Sequence, residues 1–243
     1  MHRFFADKEN ISNNFIVLQG SDVSHIRKVL RLNIGDEIEV LDGEGALYLV
    51  NLTDININSI KGEILSSEKI NTESRLMIHL GQSLIKGNGF DIILRKSVEL
   101  GVHSISPLIT GRTVVKNDSN KKLPRWKKII EESSKQCGRS SIPKISNKIT
   151  GLDIFCQKTK KSDLKLIFWE MEKNKGLSDI NPKAIPRSTS VLIGPEGGFT
   201  AKEVETARSY GFLSLGLGPR IFRAETAPLV VLSLLQGKWG DIK

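Results

Sequence analysis

Hydrophobic residues fall into two regimes along this chain. The first holds short apolar runs, Phe15–Leu18, Glu37–Leu41, Ala46–Leu52 and Ile60–Leu65, divided by the turn-forming stretches Asn13-Asn14, Asn33-Ile34-Gly35-Asp36 and Asp42-Gly43-Glu44-Gly45. Strand-length runs at this even spacing predict a small β-barrel or sandwich. One segment breaks the pattern. Ser24–Arg31 predicts a single short helix with Ile26, Val29 and Leu30 turned inward and a basic remainder.

Between Ser66 and Ser74 the pattern relaxes into polar residues, which marks a domain boundary. The chain divides into residues 1–70, a linker at 71–74, and a second domain over 75–243. There the periodicity alternates. Strands are expected at Leu76–Leu84, Ile105–Ile109, Leu166–Trp169, Val191–Ile193 and Leu213–Leu217. Helices are expected at Phe90–Leu100, stopped by Gly101, and at Arg125–Cys137, with Trp126, Ile129, Ile130, Ser133 and Cys137 as the buried stripe. This order predicts an α/β domain with a mostly parallel sheet. A last helix should start near Thr226, tolerate Pro228 in its first turn, and run from Leu229 to Gln236 before Gly237 stops it. Its side chains are apolar almost all round, so burial, including burial against a second copy of the chain, is expected.

Two glycine-rich segments stand out, each following a strand-like run: Gly194-Pro195-Glu196-Gly197-Gly198-Phe199, and Leu217-Gly218-Pro219-Arg220-Ile221-Phe222-Arg223-Ala224-Glu225-Thr226-Ala227. Open α/β sheets bind ligands at the carboxyl ends of strands, so the pair predicts a pocket of backbone groups for a small organic ligand. Thr200 with Glu203 forms a capping-box signature, and Phe199 with Val204 a hydrophobic staple, so a helix should open directly behind the first segment. Arg220, Arg223 and Glu225 can serve the ligand, or either arginine can pair with Glu225 or with an acidic side chain elsewhere. Trp169 ends a strand-like run and can be a core residue.

Charge adds a second expectation. The chain of 243 residues carries a formal net charge of +9, with residues 1–70 acidic on balance and the rest strongly basic. The block 112–161 includes Arg112, Lys116, Lys121, Lys122, Arg125, Lys127, Lys128, Lys135, Arg139, Lys144 and Lys148. Such a localised field suits a phosphate backbone. In the first domain Arg3, Arg27, Lys28 and Arg31 form a smaller cationic group. Other chemistries lack their residues. No dinucleotide fingerprint, Walker loop, nucleophile elbow or metal-ligand cluster occurs, and Cys137 and Cys156 have neither metal nor disulfide spacing. The amino-terminal residues lack the pattern of a signal peptide and no run is long enough to span a bilayer, so a cytoplasmic protein is expected.

Read together, these segments closely resemble the 16S rRNA uridine N3-methyltransferases of the RsmE family, in the SPOUT superfamily. The likeness includes Arg3-Phe4-Phe5, His25 to Arg31, Gly35-Asp36, Lys86-Gly87, Lys96, Glu99-Leu100-Gly101-Val102, Arg112, Glu132 to Arg139 and both glycine segments. Phe222 and Ala224 stand where leucine and threonine are more usual. The resemblance implies a PUA-like β-barrel followed by a SPOUT-type α/β domain with a C-terminal trefoil knot. It further implies a homodimer, S-adenosylmethionine as cofactor, and methylation of N3 of uridine 1498 in 16S rRNA within the 30S subunit. Cofactor contacts are then expected at Phe168, Trp169, Gly194, Pro195, Glu196, Gly197, Leu217, Gly218, Arg220, Ile221 and Phe222. RNA contacts are expected at Arg3, Arg27, Lys28, Arg31, Arg112, Arg125 and Lys128.

Uracil N3 carries a proton at neutral pH, so a cation that lowers its pKa helps, at about 1.4 kcal/mol per unit. Arg139 and Arg223 are the candidates. Glu132 or Glu225 can accept the proton or anchor an arginine. On this reading Arg139→Ala slows turnover about 100-fold with folding intact. Another SPOUT-type RNA methyltransferase, or a noncatalytic rRNA-binding assembly factor on the same fold, would share most of these features.

Overall fold

A computed structural model describes residues 1–115 and 121–243. Lys116, counted above in the basic block, lies outside the described residues. Two compact units emerge: Met1–Glu73 with Ser134–Ile142, and Ser74–Ser133 with Pro143–Lys243.

The first unit is built on a five-stranded sheet of β1 (Arg3–Phe5), β2 (Phe15–Gln19), β3 (Glu37–Leu41), β4 (Ala46–Ile55) and β5 (Ser59–Lys69), in the order β1-β3-β4-β5-β2. Phe4, Ile16, Leu18, Ile26, Ile38, Val40, Val50, Leu52 and Ile60 form its core. Strand β1 is too short to show alternation; it is recruited by β3 in parallel register, with Arg3 opposite Glu39. Strands β4 and β5 run past their apolar cores because backbone pairing continues where one face is solvated.

The expected helix at Ser24–Arg31 is corrected in winding and in facing. A four-residue helix, α1 (Ser21–Ser24), passes into a π-helical turn over His25–Leu30 that ends at Arg31 in the left-handed region (φ 55°). Wider π winding leaves Val23 and Ile26 buried and rotates Val29 out to 69% exposure, so Val29 is not a core residue.

The second unit is an all-parallel six-stranded sheet. Its strands are β6 (Met77–Ser83), β7 (Ser104–Leu108), β8 (Lys144–Ile145), β9 (Leu164–Phe168), β10 (Ser188–Ile193) and β11 (Leu213–Leu215), in the order β11-β9-β10-β6-β7-β8. Between them run α2 (Gly89–Glu99), α3 (Leu123–Cys137), α4 (Leu152–Lys158) and α5 (Ala201–Ser209), and α6 (Ala227–Trp239) follows the last strand. Helix α2 ends as expected, with Gly101 at φ 72° and the Val102 N–H returning to the Ser97 carbonyl.

Two expectations for the helices are corrected. On α3 the buried stripe turns through Trp126, Ile130, Ser133 and Ser134, which leaves Cys137 exposed. Helix α6 does not stop at Gly237 but continues to Trp239, capped at Gly240. A helical glycine costs about 1 kcal/mol relative to alanine. Here the neighbouring packing outweighs it: Leu232 and Leu235 are fully buried, and Gln236 donates to the carbonyls of Leu100 and Gly101 while accepting from Ser74.

Candidate cofactor site and its relatives

Strand register places the two glycine segments side by side. In the pairing of β10 with β9, Ile193 stands opposite Phe168; in that of β11 with β9, Leu215 stands opposite the same Phe168. The chain leaves all three strand ends at one level. The three exits enclose a cavity of about 250 Å³ lined by Phe168, Trp169, Glu170, Glu172, Lys173, Ile193 through Gly198, Gly216 through Gly218, Arg220, Ile221, Phe222, Ala224 and Ala227. All eleven residues expected to face a cofactor border this one space.

Close approaches explain the glycines. A side chain at Gly194 would press on the backbone of Gly198 and Phe199, at 3.1–3.3 Å. Gly198 has φ 67°, its N–H closes a turn onto the Pro195 carbonyl, and a Cβ there would collide with the Glu170 carboxylate. Gly216, which no sequence motif singled out, is hemmed in by backbone instead of a side chain, since a Cβ would lie 2.3 Å from the Glu172 carbonyl oxygen. Strand periodicity carries no sign of that contact, because Glu172 reaches it only through the loop after β9.

The loop after β10 is held from outside. The Glu196 carboxylate accepts the Lys86 N–H at 2.8 Å, and Arg112 donates to the Gly197 carbonyl at 2.7 Å with Nη1 3.9 Å from Glu170. Behind it, the expected capping box is present: Thr200 and Glu203 exchange hydrogen bonds, and Glu203 also accepts from the Gly111 N–H. Phe199 and Val204 are both buried in one cluster. Trp169 resolves as wall and anchor together, with its indole N–H donating to the Phe199 carbonyl at 3.2 Å. Arg220 and Arg223 are exposed and make no ion pair among the described residues, so neither closes onto Glu225.

The remaining candidates lie elsewhere. Arg139 belongs to the first unit, where its side chain is only 8% exposed and paired with Glu73. Glu132 is half-buried on α3. Arg125 pairs with Asp91, and Lys128 is exposed on the same helix. In the first unit Arg3 is bound to Glu39 at 2.6 Å, Arg27 is half-buried, and Lys28 and Arg31 are exposed. Among the described residues no helix is long and apolar enough to cross a membrane, and no group of three His, Cys, Asp or Glu is placed to hold a metal ion.

Comparison with known proteins places this architecture. Residues 72–236 match the RNA methyltransferase domain family and residues 18–65 the RNA methyltransferase PUA domain family. The chain is 36% identical over 235 residues to ribosomal RNA small subunit methyltransferase E of Buchnera aphidicola from Schizaphis graminum, covering 95% of this chain and 93% of that one. It is 31% identical to the Bacillus subtilis protein of the same name, covering 97% and 96%. Among solved structures, the Neisseria gonorrhoeae ribosomal RNA small subunit methyltransferase E bound to S-adenosyl methionine superimposes with a TM-score of 0.89 at 35% identity over the full length of both chains. A putative methyltransferase from Legionella pneumophila with bound cofactor SAM gives 0.90 at 34% identity, covering 99% and 98%.

Fold and matches together define a methyltransferase with a PUA-like domain ahead of a SPOUT-type α/β domain, consistent with a knotted carboxyl-terminal architecture. The chain belongs to the ribosomal RNA small subunit methyltransferase E family, called RsmE above.

Proposed function

We propose that this enzyme methylates N3 of uridine 1498 of 16S rRNA in the 30S subunit, with S-adenosylmethionine as methyl donor. The observation that carries the reading is the cavity at the ends of β9, β10 and β11, whose donor set fits that cofactor. Phe168, Leu217, Ile221 and Phe222 supply apolar walls for an adenine ring. Main-chain groups of the two glycine segments supply hydrogen bonds at distances side chains would deny. Glu170, Glu172 and Glu196 bring negative charge suited to a sulfonium and an ammonium group. When bound, the cofactor supplies an electrophilic methyl group.

The protein's own task is positioning, water exclusion and management of the uracil N3 proton. Arg223, exposed between the cavity-lining Phe222 and Ala224, is our candidate for stabilising the anionic edge of the base, with Glu225 two residues on as a candidate proton acceptor; Arg139 and Glu132 are the further candidates. Arg3, Arg27, Lys28, Arg31, Arg125 and Lys128 contribute to holding the RNA. The enzyme then acts in the cytoplasm, where the subunit is. Helix α6 supports a homodimer: Leu229 and Val230 are half-buried and Leu234 is 47% exposed, a face suited to a second copy.

The test is incubation of small subunits lacking the modification with protein and labelled S-adenosylmethionine, followed by nucleoside mass spectrometry. A single 3-methyluridine is the expected product. A 2′-O-methylated nucleoside, or no incorporation, would overturn the assignment.

Arg112 invites a sharper prediction, because its guanidinium is engaged with the cavity wall. Arg112→Ala should weaken S-adenosylmethionine binding about 10-fold, the scale of one charged hydrogen bond. The salt dependence of RNA binding should be unchanged. A slope reduced by about 1 with intact cofactor affinity would instead make Arg112 a phosphate contact.

A further inference from the structure

On the sheet edge opposite the cofactor cavity, at the amino ends of the strands, lies a second cavity of about 380 Å³. Its lining is polar apart from Phe155 of α4, with His79, Ser104, Ser106, Ser146, Lys158 and Lys161 joined by three further hydroxyl residues and no carboxylate among the described residues. Strand register shows how this came about. Lys165, Ser190, His79, Ser104 and Lys144 are direct cross-strand neighbours on β9, β10, β6, β7 and β8. Registered neighbours project to one face, so the sheet presents an unbroken polar row. Two residues further along, Ile167, Leu192 and Gly81 occupy the same face and are covered: a Cβ on Gly81 would meet the Phe155 ring of α4 at 3.0 Å. Parallel sheets are ordinarily covered by apolar side chains on both faces. Here α4 ends, and hydroxyls take over.

Those hydroxyls are arranged in pairs. Ser106 and Ser146 are 2.9 Å apart, Ser162 and Ser190 2.6 Å, and His79 Nδ1 lies 2.8 Å from Ser104 Oγ. In a pair of hydroxyls one donates and the other keeps its own hydrogen, so each pair retains a donor for a third group. Burial, and then the neighbouring His103, hold His79 below the ordinary histidine pKa, which keeps the ring neutral with one N–H to give. Asp163, close by, has its carboxylate turned onto the N–H groups of Arg187 and Ser188. Residual hydroxyl and imidazole donors, with the exposed ammonium groups of Lys158 and Lys161 at the rim, match the three acceptor oxygens and negative charge of one chemical group.

We propose that this cavity is a phosphate-binding site, separate from the cofactor cavity, taking either a backbone phosphate of the RNA or a free phosphate. Only the first source rests on the function proposed above. The full-length protein labelled at histidine nitrogen is titrated with inorganic phosphate, beside a Lys158→Glu, Lys161→Glu double variant. Both substitutions are at exposed positions, so folding is checked simply by S-adenosylmethionine affinity, which should be unchanged. A saturable shift of the His79 resonances in the parent, lost in the variant, supports the site. If the RNA supplies the phosphate, the variant also lowers the slope of log affinity against log salt by about 1–2. If the slope is unaltered while the His79 shift persists in the parent, the ligand is a free phosphate. Absence of any His79 response to phosphate, with an unaltered slope, overturns the proposal. Failure of the parent to methylate small subunits would count against the proposed reaction and leave the phosphate titration readable.

Discussion

Gly216→Ala is expected to reduce S-adenosylmethionine affinity by roughly 30–100-fold while the protein stays folded. The new methyl carbon would sit 2.3 Å from the Glu172 carbonyl oxygen, a main-chain atom that cannot swing away. Glu172 and Lys173 line the cavity, and the Gly216 N–H is bonded to the Lys175 carbonyl at 2.8 Å, so relief of the clash displaces a wall of the site. Binding must push the displaced wall back against the methyl group, and overpacking strain of about 2–2.7 kcal/mol re-imposed in this way corresponds to the stated range. Gly218 provides the contrast. It has φ 93° and nothing within 4 Å of where a Cβ would sit, so Gly218→Ala meets only backbone strain of about 1 kcal/mol and should weaken binding less than 10-fold. Titration calorimetry on both variants checks the ordering. Equal losses would show that Gly216 does not shape the cavity.

The second large effect concerns Arg139. The expectation that its removal spares folding does not survive the structure. Its guanidinium is bound to the Glu73 carboxylate, which also accepts the Ser141 N–H at 3.2 Å, while Thr72 and Ser140 exchange two further hydrogen bonds. This network fastens residues 138–141 to the strand exit after β5. Removing one partner strands a largely buried charge; after allowing for the 24% exposure of Glu73, Arg139→Ala should destabilise the first unit by about 2–3 kcal/mol. Denaturant unfolding measures that.

Turnover measured on the fraction that remains folded then separates anchoring from chemistry. Near-normal turnover assigns Arg139 to the fold alone, and a 100-fold loss retains its catalytic candidacy.

Acid provides an independent check on the same pair. Burial opposes ionisation of Glu73, but hydrogen bonding and charge from Arg139, with the Ser141 N–H, outweigh it and hold the pKa below the ordinary value of 4.5. A carboxylate depressed on folding stabilises the native state above its unfolded pKa, and that contribution disappears as pH falls through the folded value. Stability of the first unit should therefore decline below about pH 4.5 in the parent. In Glu73→Gln that part of the decline should be missing. An identical acid limb in both proteins would mean the pair carries no linkage.

Much of this was legible in the chain because the physics is local. The capping box of Thr200 and Glu203, the stop at Gly101 and the two glycine segments after β10 and β11 depend on neighbours within a few residues. The π winding and the non-local contacts were not legible. Val29 left the core because π winding changed its facing, β1 exists only because β3 accepts it, and α6 runs through Gly237 because Gln236 finds three partners across more than a hundred residues.

Consecutive residues alone establish that the chain carries an amino-terminal β unit, a parallel α/β unit and two ligand-ready loops, since periodicity and backbone freedom are written in short stretches. The folded chain supplies the remainder. Only the register of three strands could bring both loops to Phe168, and only chain returns could set Arg112 against Gly197, Glu172 against Gly216 and Arg139 against Glu73. Those contacts join residues far apart along the chain, and no local preference encodes them.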